Sequence, residues 1–482
     1  MNSYTLSLYF SIILVSVCIG CKKNVTAANK EGIVTETTSN ALLSEQIDSF
    51  EVLSDTLLAR TFLDSASRYI DSAYFDKAIE FNKKAISIFE NVLGEKDSLT
   101  LLAYDMRSDI YIRLRKLDQA SKYAKRALQM SQSNIVVYRT IQASSYDKLG
   151  IIALLKYDFD SSLAYFTKGL ALKKTLYGKG SLKTSRTIIN IGTIWYYRGV
   201  HSKALEYYDE AAKIISRNLG RENIKLSPIY NNMGSILLQE GRYNEALDYF
   251  QLDLKISRSA YGSNHPTLAT SYSNIGLTLQ NIGDYSKALQ YLEMGLAIRE
   301  KSKNDRANLA TIYNHIGIVL DDIGQPEKAL GYFKKALRNS SVHHDEPVIE
   351  TGSIYNNIGI VQFKKKNFKA ALESFNRASE IYVTLLNEKT LKLADVYSNI
   401  GVAKKNLGQL EESIIYYNKA LNIYSENLEK PIKQVGRLFG NIGIVHKEKG
   451  EYNDAISAQY RAIEILRETV NEESPELSLP LL

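Results

Sequence analysis

From residue 227 onward, apolar and small residues recur at steps of three and four, stop at a glycine, and resume. Tyr230, Gly234 and Leu237 share one helical face, because residues three and four apart lie above one another on a helix. Gly241 follows, where glycine tolerates the left-handed conformation that closes a helix. Ala246, Leu247, Phe250 and Leu254 then make the apolar stripe of a second helix starting near Asn244. Ser227 before Pro228 predicts an N-cap and first helical turn. The small residues at 234 and 246 let two backbones approach, and Tyr230 is expected to fill the space beside them. Neither stripe can be buried within one helix pair, so pair must stack on pair.

The same pattern returns along most of the chain. An Asn-Ile-Gly phrase or a close relative places glycines at 150, 192, 234, 276, 317, 359, 401 and 443, a period of 42 with one step of 41. Ala66 and Ser108 extend the series backwards, which makes ten units. Twelve residues after each of these stands a small residue, from Ala78 to Ala455. Seven further on is another, from Ala85 to Ala462, except that Asp253 breaks the rule. Four residues before each glycine comes a large residue, usually tyrosine, which absorbs many of the 33 tyrosines. Gly199, Gly241, Gly283, Gly324, Gly408 and Gly450 mark the turn between the two helices, with Tyr157 and Lys366 as exceptions. A strict period of this length identifies a repeat array rather than a globule, and no sustained coiled-coil seam competes with it.

An aromatic, a glycine and two alanines at these offsets resemble the tetratricopeptide repeat family. The period of 42, with Tyr230-Asn231-Asn232 and Tyr355-Asn356-Asn357, is similar to the longer repeats of kinesin light chains and related bacterial proteins. The resemblance implies an all-α fold, a right-handed superhelical α-solenoid of about ten helix-turn-helix repeats over residues 56–470. Residues 471–482 resemble the opening of a further first helix. Similar arrays often precede a caspase-like (CHAT-type) peptidase, a histidine kinase or a DNA-binding module. A sensor region whose effector is missing or separately encoded is therefore the alternative to a free-standing scaffold.

The resemblance also implies that the position two residues before each glycine faces a concave groove. Asn190, Asn232, Asn274, Asn357, Asn399 and Asn441 occupy it, with His315 in the unit of Gly317. Each carboxamide carries a donor and an acceptor, so a column of them could pair with an extended peptide backbone. Equally, the column could tie one helix to the next. Arg186 with Asn190, and Arg437 with Asn441, are spaced to hold a carboxylate; the plainer reading pairs these arginines with neighbouring glutamates. Trp195, Tyr196 and Tyr197 are either an apolar anchor or partly core.

Both cysteines, Cys18 and Cys21, lie at the start of the chain, so the array holds no disulfide, thiolate metal site or catalytic thiol. The uncharged stretch from Leu6 to Gly20 suits the core of an export signal. With Ile19-Gly20-Cys21 it resembles the lipobox of bacterial lipoproteins, which implies a signal over residues 1–20 and lipidation of Cys21. A signal anchor and a cleaved secretory signal are the alternatives. Residues 21–55 read as a tether, with part of Leu42 to Leu58 already helical. The expected address is the bacterial cell envelope, lipid-anchored, outer membrane favoured, with the array outside the cytoplasm.

The formal net charge of +7 is a weak field over 482 residues, and its charges alternate as on solvated helix faces. A nucleic-acid partner is not expected. His343, His344, Asp345 and Glu346 form a metal-like cluster that reads as a solvated loop between units. No phosphate loop, dinucleotide fingerprint or nucleophile elbow occurs, so neither enzyme activity nor a cofactor or metal is expected. The expected function is a scaffold for protein or peptide partners.

Overall fold

The computed structural model describes residues 36–133, 135–301, 306–340, 348–386, 390–428 and 432–469, and every regular element among them is helical. The chain divides into two compact units, residues 1–179 and 180–482. The first contains α1 (Glu36–Asp71), α2 (Phe75–Val92), α3 (Ser98–Arg113), α4 (Leu117–Met130), α5 (Val136–Leu155) and α6 (Phe159–Tyr177). The second opens with α7 (Leu182–Tyr197), α8 (His201–Leu219), α9 (Ser227–Gln239), α10 (Tyr243–Tyr261), α11 (Thr267–Ile282), α12 (Tyr285–Glu300) and α13 (Arg306–Asp322). It continues with α14 (Pro326–Ser340), α15 (Ile349–Lys364), α16 (Phe368–Leu386), α17 (Leu391–Asn406), α18 (Leu410–Asn427), α19 (Lys433–Lys449) and α20 (Tyr452–Thr469). Within each unit, helices pack in sequential pairs, and the second helix of a pair meets the first helix of the next. Such nearest-neighbour stacking is an α-solenoid. Helix α1 already begins at Glu36, inside the stretch assigned to a tether. Cys21, His343 to Glu346 and residues 471–482 lie outside the described residues.

The inter-helix turn settles the register. Six turn glycines have positive φ, from +72° at Gly199 to +91° at Gly283. The four units without glycine there hold Ala73, Arg115, Tyr157 and Lys366, and these too have φ near +60°. All ten stand seven residues after the repeat's small first-helix position. The turn geometry is therefore imposed by the stacking, even where the side chain opposes it at a cost of about 1–2 kcal/mol.

The glycine of the first helix answers to a residue other than the expected one. A Cβ at Gly234 would lie 2.7 Å from the Phe250 ring, and one at Gly359 would lie 2.5 Å from Phe375. These rings come from the second helix, sixteen residues after the glycine, and both are buried. Tyr230 does not fill that space; its ring sits 5.7 Å from Tyr249. Burial of each such phenylalanine contributes roughly 2–3 kcal/mol.

Ser227 is likewise not an N-cap. A 3-10 turn, Ile224–Leu226, runs directly into α9, so Ser227 is already helical. Its hydroxyl donates to the buried carboxylate of Asp253, the residue that breaks the small-residue rule. Ser271 donates to the same carboxylate at 2.6 Å and Ser257 at 3.3 Å. A carboxylate can stay buried here because three hydroxyls replace its water.

Candidate functional site

The asparagine column lies on the first helices of the second unit, half-buried along its length. Asn274 donates its Nδ2 to Asn231 Oδ1 at 2.7 Å. Asn357 does the same to Asn314 at 2.9 Å, and Asn399 to Asn356 at 2.9 Å. Each donor stands two residues before its glycine; each acceptor stands three before the preceding one. The links therefore join neighbouring first helices, α9 to α11, α13 to α15 and α15 to α17. They occur where asparagine occupies both positions. Asn232 instead bonds the Tyr208 hydroxyl. Sequence reasoning found the donors and missed Asn231, Asn314 and Asn356 as their partners; the Asn-Asn dipeptides at 231–232 and 356–357 were the available signal.

One link uses one hydrogen of the donor amide and one lone pair of the acceptor. The donating residue keeps its Oδ1, and the accepting residue keeps its NH₂. Each pair thus presents an acceptor and a donor in fixed relation, with its orientation set by the link.

His315 interrupts the column. Its Nδ1 is buried without a hydrogen-bond partner among the described residues. Burial holds its pKa down to about 4, so the ring is neutral at pH 7.

Arg186 and Arg437 are exposed on α7 and α19, two helices that share no packing. Each stands one helical turn before its half-buried asparagine, Asn190 and Asn441, on its own helix. The aromatic run divides. Lys203 Nζ lies 4.1 Å from the Trp195 ring centre, and Arg198 lies 5.3 Å from it. Tyr196 accepts from Gln239 Nε2 at 2.8 Å, which ties α7 to α9, while Tyr197 is exposed.

A group that the sequence did not reveal comes together at the turn between α19 and α20. Ligand atoms of His446, Glu451 and Asp454 lie within 4.8 Å of one another. His446 Nδ1 meets Glu451 Oε2 at 2.6 Å, and Lys449 pairs with Glu451 Oε1 at 2.8 Å. The ammonium already balances the carboxylate, so the arrangement is a charge network that spans the turn.

No described helix is long and apolar enough to cross a membrane. Tetratricopeptide repeat family models match residues 225–301 and 350–426, residues 184–224 and 437–476, and residues 101–134 and 310–343. Among solved structures, the apo form of RapI is similar with a TM-score of 0.59 at 16% identity, over 77% of this chain and 98% of that one. The apo quorum sensor NprR from B. thuringiensis gives 0.55 at 18% identity, over 76% and 98%. Aspartyl phosphate phosphatase F from Bacillus subtilis gives 0.52 at 15% identity, over 78% and 95%. No curated protein matches the chain. Likeness at these identities concerns the fold. The helix pairs, the ten left-handed turns and the family matches, which together span well over half of the sequence, lead to one conclusion: the chain belongs to the tetratricopeptide repeat family.

Proposed function

We propose that the chain is a non-catalytic scaffold that binds an extended peptide or protein segment along the first-helix face of residues 180–482, and that lipidated Cys21 tethers it in a bacterial envelope. The observation that carries this reading is the set of three amide links, Asn231–Asn274, Asn314–Asn357 and Asn356–Asn399. A peptide backbone offers alternating N–H and C=O groups, and each link offers their complements. One such hydrogen bond contributes only about 0.5–1.5 kcal/mol net, so affinity must accumulate over several repeats. The links hold the amides in place before binding, which lowers the ordering cost. Arg186 and Arg437 supply a charge at each end of the face for acidic groups of the partner.

The test is photo-crosslinking in intact cells from a benzoylphenylalanine placed at Ser353, on the same face. The expected result is a defined adduct with the native column that is lost in Asn274→Ala/Asn357→Ala/Asn399→Ala, at unchanged helicity and nearly unchanged melting. An adduct of equal yield in the triple variant overturns the amide column as the binding device. Anchoring is tested separately: Cys21→Ser is expected to move the protein out of the membrane fraction.

The second reading is a sensory array that acts on an effector. Its support is likeness in fold to the quorum sensor NprR. A downstream effector whose activity changes when the same first-helix face is occupied would favour it.

A further inference from the structure

The second helices carry their own repeating device. A first-helix ring pairs with a second-helix ring, and a cation three residues after the latter lies over the pair. Tyr313 and Tyr332 are 6.1 Å apart, and Lys335 lies 4.7 Å from the Tyr332 centre. Tyr397 and Tyr416 are 5.6 Å apart, and Lys419 lies 4.9 Å from Tyr416. In the first unit, Arg126 lies 4.7 Å from Tyr104 in the pair Tyr104–Tyr123. The unit of Gly234 keeps its ring pair, Tyr230 and Tyr249, but has Leu252 in the cation's place, 42% exposed.

At this position the surface opens into a cavity of about 530 Å³ between α8 and α10, with α9 beneath. That is the size of a site for a small ligand or a few side chains. Tyr230, Tyr249, Leu252 and the largely buried Met233 give it an apolar wall and floor. Its opposite rim carries Lys213, Arg217 and Arg221. Asp209, also in the lining, pairs with Lys213 at 2.5 Å. Among the described residues neither Arg217 nor Arg221 has a carboxylate partner. The rim therefore holds two guanidiniums in surplus over an aromatic floor that has lost its own cation.

We propose that this cavity binds a peptide segment in which carboxylates flank an apolar side chain. The apolar side chain lies against the Tyr230–Tyr249 pair, which excludes water from it. The carboxylates meet Arg217 and Arg221, whose planar forks bind them in a bidentate manner. The charge surplus selects an acidic occupant. The depth selects a peptide over an anionic bilayer, because a flat surface reaches the rim but not the Met233 floor. The site shares α9 with the asparagine column but not its residues: Tyr230 and Met233 line the cavity, whereas Asn231 and Asn232 belong to the column.

The probe is a fluorescein-labelled decapeptide with four glutamates around a single phenylalanine, titrated onto the full chain and read by anisotropy. Binding is expected, with affinity that falls as salt rises. Arg217→Gln/Arg221→Gln is expected to weaken it at least tenfold, as is replacement of the peptide's phenylalanine by serine. Asn274→Ala/Asn357→Ala is expected to leave it unchanged, so failure of the asparagine column and failure of this site are distinguishable. Equal affinity in the arginine variant, or no binding at millimolar peptide, overturns the proposal. So does arginine-dependent binding to phosphatidylglycerol vesicles with none to the peptide, which assigns the rim to a membrane surface.

Discussion

The first two repeats and the later ones solve the same packing problem with opposite chemistry. In the repeats of Gly234 and Gly359, a glycine in the first helix meets a buried phenylalanine in the second. In the repeats of Ala66 and Ser108, the residues sixteen positions on are Asn82 and Ala124, both buried. The larger first-helix residue is matched by a smaller partner. Asn82 is also drawn into a polar join: Arg107 Nε donates to its Oδ1 at 2.6 Å, and its Nδ2 donates to the Ala103 carbonyl at 3.0 Å. Arg107 Nη2 reaches the Ile79 carbonyl at 3.1 Å, and its guanidinium lies 5.7 Å from the Tyr123 ring. In each case the crossing is buried, and a ring stands on the second helix only where the first helix offers a glycine, because close-packed interiors tolerate no overlap.

The largest effect expected from breaking this comparison is at Gly359→Leu. Its Cβ alone would overlap the Phe375 ring, so a loss of about 3 kcal/mol or more is expected, read as a collapsed urea midpoint. Equal stability in this variant would mean that the ring can move aside. Next, Arg107→Ala is expected to cost about 2–3 kcal/mol, because a buried asparagine loses a charged donor. Hydrogen exchange over residues 75–130 should rise while that of residues 227–300 does not, since repeat stability is local. Uniform acceleration would contradict nearest-neighbour energetics.

A smaller effect concerns His315, which replaces the column's asparagine. Its folded pKa, about 4, lies below the unfolded value near 6.5. Between these values the unfolded chain binds a proton that the folded chain refuses. Its contribution to stability is therefore complete above pH 6.5 and is lost as pH falls toward 4. His315→Asn is expected to flatten the fall in urea midpoint between pH 7 and pH 5; an unchanged slope would remove His315 as its source. The smallest effect is a gain. Tyr157→Gly, at a left-handed turn with φ +60°, is expected to raise stability by roughly 0.5–1 kcal/mol in thermal melts. A lower melting point would show that the exposed tyrosine ring contributes more than its backbone strain costs.

Much of the fold was legible in the residues themselves. The spacing of small residues located the helix pairs, and the turn glycines located the left-handed position that Tyr157 and Lys366 also adopt. Less of the site was legible. The donors Asn274, Asn357 and Asn399 were visible as a column, but their acceptors belong to the preceding repeat, 43 residues away. Asp253 stood out as an exception, whereas the serines around it come from three helices. The uncapped ring pair beside Leu252 and the surplus arginines of α8 and its following turn are unremarkable in sequence, and meaningful only once two second helices frame a cavity.

The sequence by itself determined the repeat, its register and the helical nature of each segment, because these follow from local periodicity and from which residues tolerate a tight turn. Only the tertiary structure decided which ring meets which glycine, which amide answers which, and where charge is left unpaired. Those outcomes depend on distances between residues of different helices, and a one-dimensional spacing of 42 does not contain them.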